Sequence, residues 1–141
     1  MPERTFLLDT GPLVAYLSDR DEHHRWAIEL FQQITSPLTT TEPVLTEAFY
    51  LLGKTKTGPA RLADFCAAGV LNVPLRLLDE LPEIHPLLQK YRNVPMDLAD
   101  ATLVHLADRD RNAMVITTDR NFLLYRTRSR RQIPLIAPFV T

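Results

Sequence analysis

Two hydrophobic periods alternate along the chain, one suited to strands and the other to helices. Residues 5–8, TFLL, are a short apolar run that stops at Asp9, and GPLVAYL follows with Pro12 at a first helical position, so a strand runs into a helix. In DEHHRWAIELFQQI, 21–34, Trp26, Ile28, Leu30, Phe31 and Ile34 fall mostly at helical spacings, with Ser18 and Asp19 ahead of them as starting or capping residues. A threonine-rich strand at 37–41 leads into a helix over 42–53, whose apolar face is Val44, Leu45, Ala48, Phe49 and Leu52 and whose stop is Gly53. Residues 58–69 read as a compact helix between two glycines, 70–79 as extended because Pro74 interrupts any helix, and 81–92 as helical again. The strongest helical pattern, 96–111, precedes strands at 113–118 and 133–137. Such alternation predicts a three-layer α/β/α sandwich around a mainly parallel sheet of four to five strands.

Composition narrows this picture. A chain of 141 residues with 45% hydrophobic content suits one well-cored domain, expected over 1–141. Its 17 acidic and 16 basic residues leave a formal net charge of -1, so bulk charge selects neither nucleic acid nor a membrane surface. No apolar run approaches the roughly 20 residues that span a bilayer, and no signal-peptide pattern opens the chain, which predicts a cytoplasmic protein without membrane association. The single cysteine, Cys66, has no partner for an internal disulfide and is expected to be buried and inert.

The setting of Asp9 decides how it is read. Asp9-Thr10-Gly11 matches the string of an aspartic-protease turn, but that turn joins two strands and pairs two carboxylates over one proton. Here the tripeptide joins a strand to a helix. In an open parallel sheet, ligands bind at the carboxyl ends of the strands, near the point where strand order reverses, and Asp9 is placed to line that crevice. Asp119 ends the run VITTD and has the same strand-terminal position. Asp100 lies at the edge of an apolar helical arc of Leu98, Ala99, Thr102, Leu103 and Leu106, which predicts half burial. Asp97 reads as an N-cap with Asp100 three residues on, a modified capping box. Glu47 sits at the rim of its own helix's apolar arc, close to a strand end.

Taken singly, these acids have ordinary explanations as turn residues, helix-terminal charges or solvated side chains. Four carboxylates in one crevice repel one another, and no obvious lysine or arginine partners lie near all of them in sequence. A divalent cation relieves that repulsion. Hard oxygen donors suit Mg²⁺ or Mn²⁺, whereas one cysteine and scattered histidines give no zinc spacing. Such an ion activates water and neutralises phosphate charge, so the chemistry indicated is phosphodiester hydrolysis without a covalent nucleophile.

In that order, four stretches resemble the PIN-domain family of metal-dependent ribonucleases, and most of all its small VapC-type members, the toxins of type II toxin-antitoxin pairs. They are FLLDTGPLVAYL, TTEPVLTEAFYLL, MDLADATLVHLA and VITTDRNF, which together span nearly the whole chain. The resemblance implies an acidic cluster of Asp9, Glu47, Asp100 and Asp119 that is both metal-binding and catalytic, with Asp9 and Asp100 the principal ligands. It also implies Mg²⁺ or Mn²⁺ as cofactor, RNA as substrate, a cognate antitoxin and a homodimer. Asn121 stands where many members carry a further acid, which leaves the number of ions open. Thr10 and Thr117 resemble hydroxyl residues that line the family's sites, and Asp97 and Asn121 are further candidates for lining this one.

Other features carry less. Arg126, Arg128, Arg130 and Arg131, in YRTRSRRQ, place positive charge on the segment after Asp119, suited to holding an RNA backbone or to a solvated loop. His23 and His24 point about 100° apart on a helix and read as a solvated start. His85 and His105 have no evident partners. Two rival readings remain: a PIN-like RNA-processing protein outside any toxin pair, or a catalytically weak protein-binding module with an acidic cleft. A phosphotransfer receiver or aspartate-nucleophile phosphatase fits worse, because Asp9 lacks a neighbouring acid pair and the Asp-x-Asp spacing.

Overall fold

A computed structural model describes residues 3–141. Elements follow in the order β1 (Thr5–Leu8), α1 (Thr10–Leu17), α2 (His24–Gln33), β2 (Leu38–Thr39), α3 (Glu42–Leu52), α4 (Gly58–Ala67), β3 (Leu71–Asn72), α5 (Leu77–Lys90), α6 (Leu98–Arg109) and β4 (Ala113–Ile116), then a 3₁₀ turn (Arg120–Leu123) and β5 (Leu135–Ile136). The five strands form one parallel sheet in the order β3-β2-β1-β4-β5.

Alternation along the strands explains the three layers. Leu7 of β1 joins Ala113 and Val115 of β4 on the face covered by α5 and α6, where Ile84, Leu87, Leu103 and Val104 are buried. Leu8 and Ile116 point the other way, toward Leu13 and Leu17 of α1, Ala48 and Leu52 of α3 and Leu62 of α4. Both faces of the central strands are therefore dry, as a parallel sheet requires. No helix among the described residues is long and apolar enough to cross a membrane.

The sheet order places the crevice. From β1 the chain moves outward through β2 to β3, then returns by α5 and α6 to β4 on the other side of β1. Strand order reverses between β1 and β4, whose register pairs Leu8 with Ile116. The two strands thus end level with each other, and Asp9 N–H donates to the Ile116 carbonyl at 3.0 Å. The residues that follow them, Asp9 on one side and Thr117 to Asp119 on the other, flank the reversal.

Some boundaries differ from the sequence expectation. Helix α2 begins at His24, and Ser18 closes α1 instead of opening α2. The expected extended stretch 70–79 holds only the two strand residues of β3, because α5 starts at Leu77 and runs through Pro82 and Pro86. These prolines lie four apart on an exposed face, so the carbonyls they orphan, those of Leu78 and Pro82, belong to exposed residues. Cys66 is half-buried against the α1, α2 and α4 core, and burial raises its thiol pKa.

Candidate active site

Asp9 gains its position from β1 and its conformation from α1. It is the N-cap of α1, with extended backbone and Oδ1 accepting from the Thr10 N–H at 2.8 Å. Its other oxygen, Oδ2, accepts from the Thr117 hydroxyl at 2.7 Å, and that hydroxyl in turn accepts from the Asp119 N–H at 2.9 Å. Asp119 caps the 3₁₀ turn through the Asn121 N–H at 2.8 Å. One hydrogen-bonded chain thus links both strand ends. Despite these bonds the Asp9 carboxyl rises to about 7, chiefly through burial, with the charges of Asp119 and Glu47 adding to the effect.

Asp100 enters from α6. The capping box is present in full: Asp97 Oδ1 accepts from the Asp100 N–H at 2.8 Å, and Asp100 Oδ2 accepts from the Asp97 N–H at 3.2 Å. Asp100 is only 8% exposed, more deeply buried than the helical arc implied, while Asp97 is exposed. Burial and the charges of Asp9, Asp97 and Asp119 raise Asp100 to about 8. Glu47, on α3, is raised as well, first by burial and then by Asp97 and Asp119. The N-cap of α3 is tied to α6 by the Thr41 and Thr102 hydroxyls, 2.8 Å apart, which fixes the helix carrying Glu47 against the helix carrying Asp100.

The four acids therefore converge at one end of the sheet, within electrostatic reach of one another, and no lysine or arginine is a principal influence on Asp9, Glu47 or Asp100. Thr10 Oγ1 is buried among them. It is near enough to Glu47 to lower that carboxyl's pKa, yet it makes no hydrogen bond of standard geometry. An orphaned hydroxyl beside mutually repelling carboxylates is a site short of a positive ligand. Among the described residues, no three histidine, cysteine, aspartate or glutamate side chains are already drawn into a cage around an ion.

Two further residues shape the site. The Tyr125 hydroxyl lies 3.2 Å from the Pro95 carbonyl and 3.4 Å from Asp100 Oδ2, and its ring is fully buried. In the sequence Tyr125 looks like the start of a basic loop, and only a polar-tipped aromatic beside Phe122 hints at burial. Gly11 lets α1 approach the end of β4, since a β-carbon there would come within 2.0 Å of Thr118 Oγ1.

The arginine segment is partly engaged within the protein. Arg128 bonds Asp108 Oδ2 at 2.7 Å and the Glu83 carbonyl at 2.7 Å, and Arg131 bonds the Ala107 carbonyl at 3.1 Å. Asp108 is eight residues beyond Asp100 on α6, roughly 12 Å along its axis. Arg126 turns its guanidinium onto the carbonyls of Leu123 and Tyr125, and Arg130 occupies the turn at φ 65°. Charge that seemed free in the sequence fastens this loop to α5 and α6. His105 is fully buried and partnered at one ring nitrogen, Nε2, which lies 3.0 Å from Glu80 Oε1 and 3.1 Å from an Arg109 nitrogen, while Nδ1 is buried without a partner.

Comparison with known proteins bears on the fold and the family. The PIN domain model matches residues 6–127. Ribonuclease VapC26 of Mycobacterium tuberculosis is 28% identical over 116 residues, covering 81% of this chain and 86% of that protein. Among solved structures, VapC20 of Mycobacterium tuberculosis, described as a toxin that cleaves the sarcin-ricin loop, superposes with a TM-score of 0.70 at 20% identity, over 82% of this chain and 91% of that one. The DNA-bound VapBC of Salmonella typhimurium gives a TM-score of 0.61, also at 20% identity, over 96% and 98%. At such identities the two structures speak for the fold, whereas the domain model spans most of the sequence and all four acids. The chain belongs to the PIN-domain family.

Proposed function

We propose that this protein is an endoribonuclease that hydrolyses RNA phosphodiester bonds with the help of Mg²⁺ or Mn²⁺, and that it is the toxin of a toxin-antitoxin pair. The observation that carries this reading is the convergence of Asp9, Glu47, Asp100 and Asp119 on one crevice, with the carboxyl pKa values of Asp9, Glu47 and Asp100 raised and no neutralising side chain. The donor set fits a hard divalent cation: carboxylate oxygens, with no cysteine nearby and a buried, unpartnered Thr10 hydroxyl beside them. Among the described residues no three such side chains are pre-arranged around an ion, so the acids would have to draw together to hold one. When bound, it supplies Lewis-acid stabilisation of the phosphate and an activated water.

The chain's own residues set up that step. Asp9 and Asp100 would hold the ion, with Glu47 and Asp119 completing the negative charge. Thr117 holds Asp9 in one rotamer and aligns it with Asp119, while Tyr125 and the Asp97 N–H orient Asp100. Burial of Asp9 and Asp100 limits water around them and would strengthen their attraction for a cation.

Two partners belong to the same reading. A cognate antitoxin is supported by the likeness to VapBC, and its action is the covering of the acidic crevice. A homodimer is supported by apolar side chains left open beside the acids: Leu78 is 85% exposed and Tyr50 72%, with Val73 and Leu81 partly exposed nearby. The purified protein should cleave RNA with Mg²⁺ or Mn²⁺ and lose cleavage with EDTA. Cleavage that survives in both Asp9→Asn and Asp100→Asn would overturn the assignment.

A further inference from the structure

A group of cations apart from the arginine loop lies past the end of α1. Arg20 follows the end of α1, Lys54 and Lys56 lie between α3 and α4, and Arg61 is in the first turns of α4. Together with Ser18 and Asp19 they line a cavity of about 430 Å³. All four cations are exposed, and among the described residues none makes a salt bridge or a side-chain hydrogen bond. Arg76, Arg109 and Arg128 each hold a carboxylate, whereas these four cations hold none and share one cavity. Asp19 is the only acid in the lining.

Helix stability explains part of this placement and leaves the rest. Arg20 and Lys54 sit beyond the C-termini of α1 and α3, where cations complement the helix dipoles. Lys56 and Arg61 sit before and inside the start of α4, where the dipole opposes them. Four exposed cations around one cavity set up a local positive potential that favours an anion there.

The position of the cavity identifies the anion. Helix α1 begins at Asp9 and ends at the cavity, and Lys54 lies seven residues past Glu47, so both helices run from the acids to the cations over roughly 10 Å. Lys54 Nζ also lies 5.8 Å from the centre of the Tyr50 ring, which is near Glu47 on the same helix. Acids at one end of these two helices and cations at the other suit a strand laid along them, its reacting phosphate at the acids and a flanking phosphate at the cations.

We propose that this pocket binds a backbone phosphate of the RNA strand flanking the scissile bond, with Lys56 and Arg61 as positioning residues. The proposal rests on the ribonuclease reading. The test is binding of a labelled single-stranded RNA oligonucleotide in EDTA, so that no cleavage occurs, across a salt series, for the wild type and for the double variant Lys56→Gln/Arg61→Gln. Loss of two phosphate contacts flattens the slope of log affinity against log salt by about 1.4 and weakens binding about tenfold at low salt. The charge-keeping variant Lys56→Arg/Arg61→Lys restores both, which separates charge from folding. A wild type that binds and cleaves RNA, together with a double variant of unchanged slope, overturns the pocket and leaves the ribonuclease standing. A wild type that neither binds nor cleaves removes both. Displacement of the RNA by a polyglutamate peptide at lower concentration than by unlabelled RNA, dependent on Lys56 and Arg61, also overturns the proposal and assigns the pocket to an acidic protein partner.

Discussion

At one end of α6, Asp100 stands among Asp9, Asp97 and Asp119 with no cation among its principal influences; at the other end, Asp108 holds Arg128, and across the same helix Glu80 holds Arg109 and His105. One helix thus carries two opposite solutions for its charges. The far end is compensated: every acid there has a donor, and the loop 126–132 is fastened through them. The crevice end is uncompensated, and burial makes that worse for each carboxylate. Charge arranged for stability resembles the far end. An arrangement that costs stability at the focus of the sheet, beside an orphaned hydroxyl, is what a site for an absent cation looks like.

The largest expected effect breaks the comparison at the crevice. Asp9→Asn and Asp100→Asn keep the shape and the capping acceptors but remove the charge, and each should lower RNA cleavage by more than about a hundredfold in a gel assay with Mg²⁺. In EDTA the same variants should be more stable than the wild type at alkaline pH. Asp9 and Asp100 have folded pKa values of about 7 and about 8 against 3.8 for the free side chain, so the native state keeps protons that the unfolded chain releases. That stabilisation is complete below about pH 4 and is lost as pH rises through about 7 and then about 8. Thermal unfolding from pH 4 to pH 9 should show a decline in the wild type that is reduced in each variant.

Glu80→Ala attacks the compensated end. It leaves the buried His105 without its carboxylate and Arg109 without its acid, and should cost about 2–3 kcal/mol in urea unfolding, with cleavage per folded molecule kept. Thr117→Val acts between the strand ends. Losing the hydroxyl that favours the charged form of Asp9 should move the acid limb of the pH-rate profile upward, with a stability loss of about 1 kcal/mol. Arg128→Gln is the smallest change, because its pair with Asp108 is partly exposed; under about 1 kcal/mol is expected, and RNA affinity should not fall.

Much of the crevice was legible in the sequence because it follows from local rules. A strand stopping at an acid, an acid three residues into a capped helix and a second strand stopping at an acid are short-range patterns, and parallel topology brings them together. What sequence reading missed is contact between distant segments. Arg128 meets Asp108 and His105 meets Glu80 across 20 and 25 residues, so neither pairing has a local signature, and the arginines read as free. Tyr125 reaches Asp100 in the same way. The start of α5 was hidden for a different reason: Pro82 and Pro86 break the propensity rule, and an exposed face makes that affordable.

The central claim is that the crevice is a cation site made of Asp9, Glu47, Asp100 and Asp119. Thermal unfolding at pH 8, in millimolar Mg²⁺ against EDTA, tests it most directly, because an ion that binds only the folded state raises the melting temperature. The account predicts a clear upward shift for the wild type, abolished in an Asp9→Asn/Asp100→Asn double variant. No shift in the wild type, or an equal shift in the double variant, would contradict it.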